Sequence, residues 1–169
     1  FNESGETLFR IKTELHGVEG KEVGRKITTL LDEIMQQAKQ LGHQPNGIGI
    51  CVPGIAHRSS EVWAPNIKGW EQYPLKEEVE AYFKNEIQTF IESDRACHVM
   101  AEVWKGGAKG CRDAVFLAVG TGIGAGILSD GHVIRGAHDI SGAIGWMALK
   151  PTFQIHYQQR GCFESHASG

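Results

Sequence analysis

Residues 116–131 read FLAVGTGIGAGILSDG, with glycine recurring at Gly120, Gly122, Gly124 and Gly126. A glycine inside a strand costs roughly 0.5–1 kcal/mol. Four in seven residues therefore require something that must approach the backbone closely. Two readings meet that requirement: a tight, twisted hairpin, or a ligand, of which a phosphate held by exposed amides is the most apt. A dinucleotide fingerprint needs G-x-G-x-x-G between a strand and a helix. Here the spacing is G-x-G-x-G-x-G, and it runs on into ILSDGHVIRG, where Asp130-Gly131 between apolar runs signals a hairpin. The G-K-[S/T] of a Walker loop is missing as well. What remains is strand–glycine turn–strand, offering backbone N–H groups and the Thr121 hydroxyl.

Outward from this stretch, strand and helix patterns alternate. TLFRIKTEL (7–15) places Leu8, Phe9, Ile11 and Leu15 among polar neighbours, which predicts a strand. Val23, Ile27, Leu30, Ile34, Ala38 and Leu41 form one stripe over 21–42, and Gly42 sits where a helix ends. IGICV (48–52) predicts a buried strand stopped by Pro53-Gly54, and EVWAPN (61–66) a hairpin arm. Pro74 opens a helix carrying Leu75, Val79, Tyr82 and Phe83. IQTFIE (87–92) predicts a strand, DRACHVMAEVWKG (94–106) a helix and DAVFLAVG (113–120) a buried strand. The alternation predicts an α/β architecture, with GGAKG (106–110) as a flexible boundary.

Composition narrows the function. The chain has 169 residues, 41% hydrophobic and 22% charged, enough for a sizeable core. A net charge of −3 argues against a nucleic-acid partner or an anionic membrane surface. No apolar run reaches the ~18–20 residues of a membrane span, and no signal peptide is visible. Cys51, Cys97, Cys111 and Cys162 are scattered, which suits free thiols in a reducing compartment, and the expected location is cytoplasmic. The start at Phe1 instead of Met suggests an excerpt.

Six segments, taken in order, resemble the ROK family of sugar kinases and sugar-sensing repressors. GIGICVPG (47–54) resembles the strand and loop that begin the sugar site, and APNIKGW (64–70) the family's A-P-N-L-x-G-W. IESDRACHVMAE (91–102) is similar to V-E-N-D-A-N-A-A-A-L-G-E, and GTGIGAGILSDG (120–131) to the second phosphate segment. SGAIGWM (141–147) resembles A-G-E-I-G-H-M, and RGCFESHASG (160–169) R-G-C-L-E-A-Y-A-S-G. The resemblance implies ribonuclease-H-like lobes of the actin/hexokinase-like ATPase type, each with a central mixed β-sheet, and an active site in the cleft between them. Residues 1–108 would be an N-terminal lobe without its leading strand, since the family's D-I-G-G-T-K is unmatched. Residues 109–169 would begin an incomplete C-terminal lobe.

The same resemblance implies ATP with Mg2+, a small-molecule sugar substrate, and room for a homodimer. Asp94 would be the catalytic base, against the plainer reading of a helix cap. Substrate-binding roles fall to Asn66, Gly69, Ser93 and Glu164, with a turn former at Asn66 and a solvent-facing helix residue at Glu164 as the bland alternatives. Gly120, Thr121, Gly122 and Gly124 would hold the nucleotide phosphates. Three departures stand out: Ser93 replaces the family's Asn, Ala143 its Glu and Trp146 its His. That histidine and three cysteines hold a structural zinc in many members. Here the cysteine positions read Ile155, Tyr157 and Cys162, so no zinc is expected and Cys162 reads as a buried small hydrophobe. The expected activity is ATP-dependent phosphorylation of a hexose or amino sugar. The alternative is a non-catalytic sugar sensor related to the family's repressors, whose DNA-binding helix-turn-helix would lie upstream.

Overall fold

The computed structural model describes residues 1–169. Its strands form three small sheets: β1 (Gly47–Val52) beside β4 (Gln88–Ser93), β2 (Ile55–Ala56) beside β3 (Val62–Trp63), and a three-stranded sheet in the order β5 (Ala114–Val119), β6 (Ile123–Ser129), β7 (His132–Val133). The helices are α1 (Lys21–Gln40), α2 (Leu75–Tyr82), α3 (Asp94–Lys105), α4 (Tyr157–Arg160) and α5 (Cys162–Ala167), with a 3-10 turn at Ile144–Trp146. The chain is α/β, as the alternation predicts. It divides into two compact units, residues 1–50 with 60–90, and residues 51–59 with 91–169.

In the first unit, α1 turns its stripe inward through Val23 and Ala38. It ends as Gly42 predicts: Gly42 takes φ +76°, and the amides of Leu41 and His43 both close on the Ala38 carbonyl. The loop AlaProAsnIleLysGlyTrp folds on itself, with Ala64 N donating to Trp70 O and Trp70 N to Ile67 O. Its two ends are the buried residues. Trp70 is 1% exposed, stacks on Tyr73 at 4.4 Å, and donates from Nε1 to the Gly20 carbonyl at 3.0 Å. Residues 7–15 are not a strand. No backbone ladder pairs with them, and alternating apolar residues without a partner strand leave amides that water satisfies more easily.

The second unit is organised by α3 lying across β6. Ser93 caps α3, its buried Oγ accepting from Ala96 N at 3.3 Å, so the cap falls one residue before Asp94. Strand β5 pairs with β6 from Ala114↔Leu128 to Val119↔Ile123, and the glycine turn connects them. Asp130 and Gly131 then turn with φ +49° and +79°, the left-handed pair that a two-residue hairpin requires. Strand β5 is not buried on both faces. His98 of α3 stacks on Phe116 at 4.8 Å, whereas Val115, Leu117 and Val119 on the opposite face are exposed. No helix is long and apolar enough to cross a membrane.

Two of the four glycines now have a cause. A Cβ on Gly126 would lie 2.0 Å from the Arg95 carbonyl oxygen and 2.9 Å from Val99 Cβ, so α3 sits on bare backbone there. Gly124 receives the Arg95 side chain, with Cδ 3.0 Å from its would-be Cβ. Gly126→Ala should therefore destabilise the protein by about 1–3 kcal/mol or more, because the obstacle is backbone. A denaturation midpoint equal to wild type would disprove that packing.

Candidate active site

Alternate residues of β6 each hold a different segment of the second unit. Ile123 N donates to Glu164 Oε2 at 2.7 Å, which brings α5 to the strand. Ala125 N donates to the Gly142 carbonyl at 2.8 Å, and the Ile134 amide donates to Ile127 O at 2.8 Å. Gly142 has φ +81°, and a Cβ on it would meet the Ala125 carbonyl at 1.7 Å, so only glycine passes there. Gly169 N donates to Gly120 O at 2.7 Å. Strand, loop 134–142 and α5 thus converge on the glycine turn.

The glycine turn is exposed from Gly120 to Gly122. A Cβ on Gly120 would meet nothing within 4 Å, whereas one on Gly122 would lie 3.0 Å from Glu164 Oε2. Of the four nucleotide candidates, then, Gly120 and Thr121 border open space, Gly122 borders a carboxylate, and Gly124 serves the packing of Arg95.

Asp94 is the first residue of α3 and half-buried; its Oδ1 accepts from Arg95 N at 2.8 Å, and Oδ2 has no partner in the chain. Glu92 lies two residues earlier. Its Oε1 accepts from Ser93 N and its Oε2 from Arg135 Nη1, both at 2.8 Å. Arg135 also donates to the Ala56 carbonyl at 2.6 Å and to Asp139 Oδ1 at 3.1 Å. Asp139 accepts in addition from Arg58 N at 3.2 Å and pairs with Arg58 Nε at 3.3 Å, with His57 Nδ1 at 4.0 Å. This network ties loop 135–139 to residues 56–58, just after Pro53-Gly54, and to Glu92.

Asn66 and Gly69 lie in the first unit, on an exposed turn. Gly69 has φ +85°, and its would-be Cβ would lie 3.1 Å from Gly20 Cα, so chain packing alone requires a glycine there. Asp94, Ser93, Glu164 and the glycine turn belong to the second unit. Sequence reasoning passed over Arg135, Asp139 and Arg95; the basic residue directly after the acid in ESDRAC was the available signal for the last.

The positions implied for zinc do not fit the metal. Ile155 is 74% exposed and Tyr157 Oη is bonded to His166 Nε2 at 2.7 Å. Trp146 offers no zinc donor, and Cys162 is buried with its Sγ accepting from Leu149 N at 3.4 Å. No group of three or more His, Cys, Asp or Glu side chains could hold a metal ion. An aromatic cluster of Tyr157 with Phe153, His156 and His166 occupies this region.

The ROK family matches residues 4–169, and the chain belongs to it. It is 28% identical over 153 residues to a glucokinase from Halalkalibacterium halodurans, covering 86% of this chain and 46% of that protein. It is 31% identical over 168 residues to a xylose repressor from Caldicellulosiruptor bescii, covering 97% of this chain and 41% of the repressor. A ROK family glucokinase from Streptomyces griseus, solved in complex with glucose and AMPPNP, superposes with a TM-score of 0.68 at 26% identity, over 85% of this chain and 46% of that one. The chain thus spans less than half the length of these relatives, which include both kinases and repressors.

Asp139 supplies a pH test of the network. Burial raises its pKa, but the Arg58 amide and the Arg135 and Arg58 guanidinium groups outweigh that and hold the carboxyl below the usual aspartate range. A lowered folded pKa contributes stability above the unfolded value, near pH 4, and that contribution is lost as pH falls through the folded value. Asp139→Asn keeps a residue that tolerates φ +58°. It should lower stability at neutral pH and flatten the loss below about pH 4. Denaturation midpoints that keep the wild-type acid slope would refute this.

Proposed function

We propose that this chain is part of an ATP-dependent sugar kinase, with residues 1–108 in one lobe, residues 109–169 opening the other, and the substrates in the cleft between them. The reading is supported by family membership and by glucokinases among the relatives. One observation carries it: Asp94 keeps a carboxylate oxygen without a partner, and the glycine turn opens onto empty space at Gly120.

In this reading Asp94 Oδ2 accepts the proton of a sugar hydroxyl. The alkoxide oxygen bonds to the γ-phosphorus of ATP while the bond to the bridging oxygen breaks, leaving ADP. The transferring group gains most from positioning and charge neutralisation, which Mg2+ carried by the nucleotide supplies. Amides of Thr121 and Gly122 and the Thr121 hydroxyl face the phosphates, the Gly120 amide being bonded to Gly122 O at 3.0 Å. Glu164 receives a sugar hydroxyl through Oε1, its Oε2 being held by Ile123 N. Ser93 Oγ accepts within its own helix, and its proton is available to the sugar. Asn66 and Gly69 would shape the loop beneath the sugar. The cytoplasm is the proposed setting.

A sensor without catalysis is the second reading. Ala143 and Trp146 stand where the family resemblance places polar sugar contacts, and a xylose repressor is among the relatives.

Two variants of the full-length protein test the kinase. Asp94→Asn leaves the Ser93 cap intact, so sugar-dependent phosphoryl transfer should fall ~10²–10⁴-fold while sugar binding changes little. If the variant turns over like wild type, Asp94 is not the base; if wild type binds a sugar and transfers to none, the sensor reading prevails. Gly120→Ala meets nothing in the protein, so its unfolding midpoint should match wild type while nucleotide affinity falls. Unchanged affinity would remove the phosphates from this turn.

A further inference from the structure

Arg95 follows the proposed base directly and is half-buried, yet it has no carboxylate partner. Arg25, Arg58, Arg112 and Arg135 all sit in ion pairs. Neither of the nearest acids forms an ion pair with the Arg95 guanidinium: Glu92 is held by Ser93 N and Arg135, and Asp94 bonds through Oδ1 to the backbone amide of Arg95, its Oδ2 remaining free. The guanidinium makes one long contact, from Nη2 to the Gly54 carbonyl at 3.4 Å. Nε is buried and has no hydrogen-bond partner at all.

An orphaned guanidinium N–H inside a protein is costly, because a desolvated charge is tolerated only when paired. Burial lowers the Arg95 pKa, and the charges of Asp94 and Glu92 offset this only in part. The fold nevertheless keeps the cation in place. The Arg95 stem packs where a Gly124 side chain would be, at 3.0 and 3.2 Å from the would-be Cβ, so this glycine makes room for the arginine. Its head reaches the Pro53-Gly54 loop, beside the proton acceptor. A planar fork of donors, held in place with Nε unpartnered and Nη2 on one long bond, is complementary to a carboxylate.

We propose that Arg95 binds the carboxylate of an acidic sugar, so that the substrate class of this site is the sugar acids rather than neutral hexoses. The proposal rests on the sugar-site reading above and deepens it. Ala143 and Trp146 agree with it: a substrate anchored through a carboxylate depends less on the polar hydroxyl contacts those positions have lost. The acid's charge replaces the missing partner of Arg95 on binding.

The test is calorimetric titration of the full-length protein, without nucleotide, with glucose, glucuronate and the uncharged glucuronamide. Wild type should bind glucuronate about tenfold or more tighter than either neutral sugar, the difference expected of a hydrogen-bonded charge pair. Arg95→Gln should erase the preference and Arg95→Lys should keep part of it. Should Arg95→Gln fail to fold, the comparison of glucuronate with its amide on wild type still decides. Equal binding of acid and amide would overturn the proposal. So would an Arg95→Gln variant that keeps the preference, or one that loses affinity for ATP alone, which would assign the guanidinium to the nucleotide's phosphate. Phosphoryl transfer is measured separately. Acid preference without transfer defeats the kinase and leaves Arg95 as assigned; transfer to neutral sugars without acid preference does the reverse.

Discussion

The second unit depends on one close approach, that of the first turn of α3 to the backbone of β6. The Arg95 carbonyl occupies the space of a Gly126 side chain, which fixes the height and rotation of the helix over the strand. Asp94 and Arg95 are the first two residues of that helix, so the same contact sets where the free Asp94 oxygen and the Arg95 head stand. Side-chain contacts alone leave a helix freer to slide, because rotamers adjust; a backbone-to-backbone stop does not. The proposed chemistry therefore rests on a rigid element and not on a loop.

The unpaired stretch of β6 is the second constraint. Strand β7 covers only Leu128 and Ser129, so residues 123–127 present a bare edge. Exposed edges invite wrong pairing and leave amides to be satisfied. This chain occupies the edge with its own segments: a Glu164 carboxylate on the Ile123 amide, the Gly142 carbonyl on the Ala125 amide, and the Ile134 amide on the Ile127 carbonyl. Edge protection and site assembly are thus one set of hydrogen bonds. The Glu92–Arg135–Asp139–Arg58 network adds charge-assisted bonds that hold loop 135–139 in register.

Much of this was legible in the sequence, and the failures have physical causes. Helix α1 showed because six apolar residues keep one period and Gly42 supplies the left-handed stop. The β6–β7 hairpin showed because Asp-Gly is the cheapest pair for a two-residue turn. The segment 7–15 misled because alternation marks a surface fit for pairing without showing that a partner exists. Strand β5 misled because Val115, Leu117 and Val119 are apolar yet lie on an uncovered face. In the candidate site, Asp94 and Glu164 were visible as motif residues. Arg95, Arg135 and Asp139 were not, since a charge reads the same in sequence whether it is solvated, paired or stranded.

The glycine segment shows how far a motif's function can be divided among its residues. Three of the four glycines answer a close approach by the chain itself, and the approaching group differs at each. At Gly126 it is a helix carbonyl, at Gly124 an arginine stem, at Gly122 a carboxylate, and at Gly120 nothing belonging to the chain. Packing therefore accounts for the last pair, by a backbone obstacle at Gly126 and by the room left for the Arg95 stem at Gly124. Gly120 is the position that packing leaves unexplained. A Cβ there would meet nothing in the chain, so packing supplies no reason for a glycine at this position. Helix α3 thus accounts for Gly126 and the Arg95 stem for Gly124, neither of them a matter of hairpin geometry, and the phosphate reading of 120–122 stands as the proposal made above.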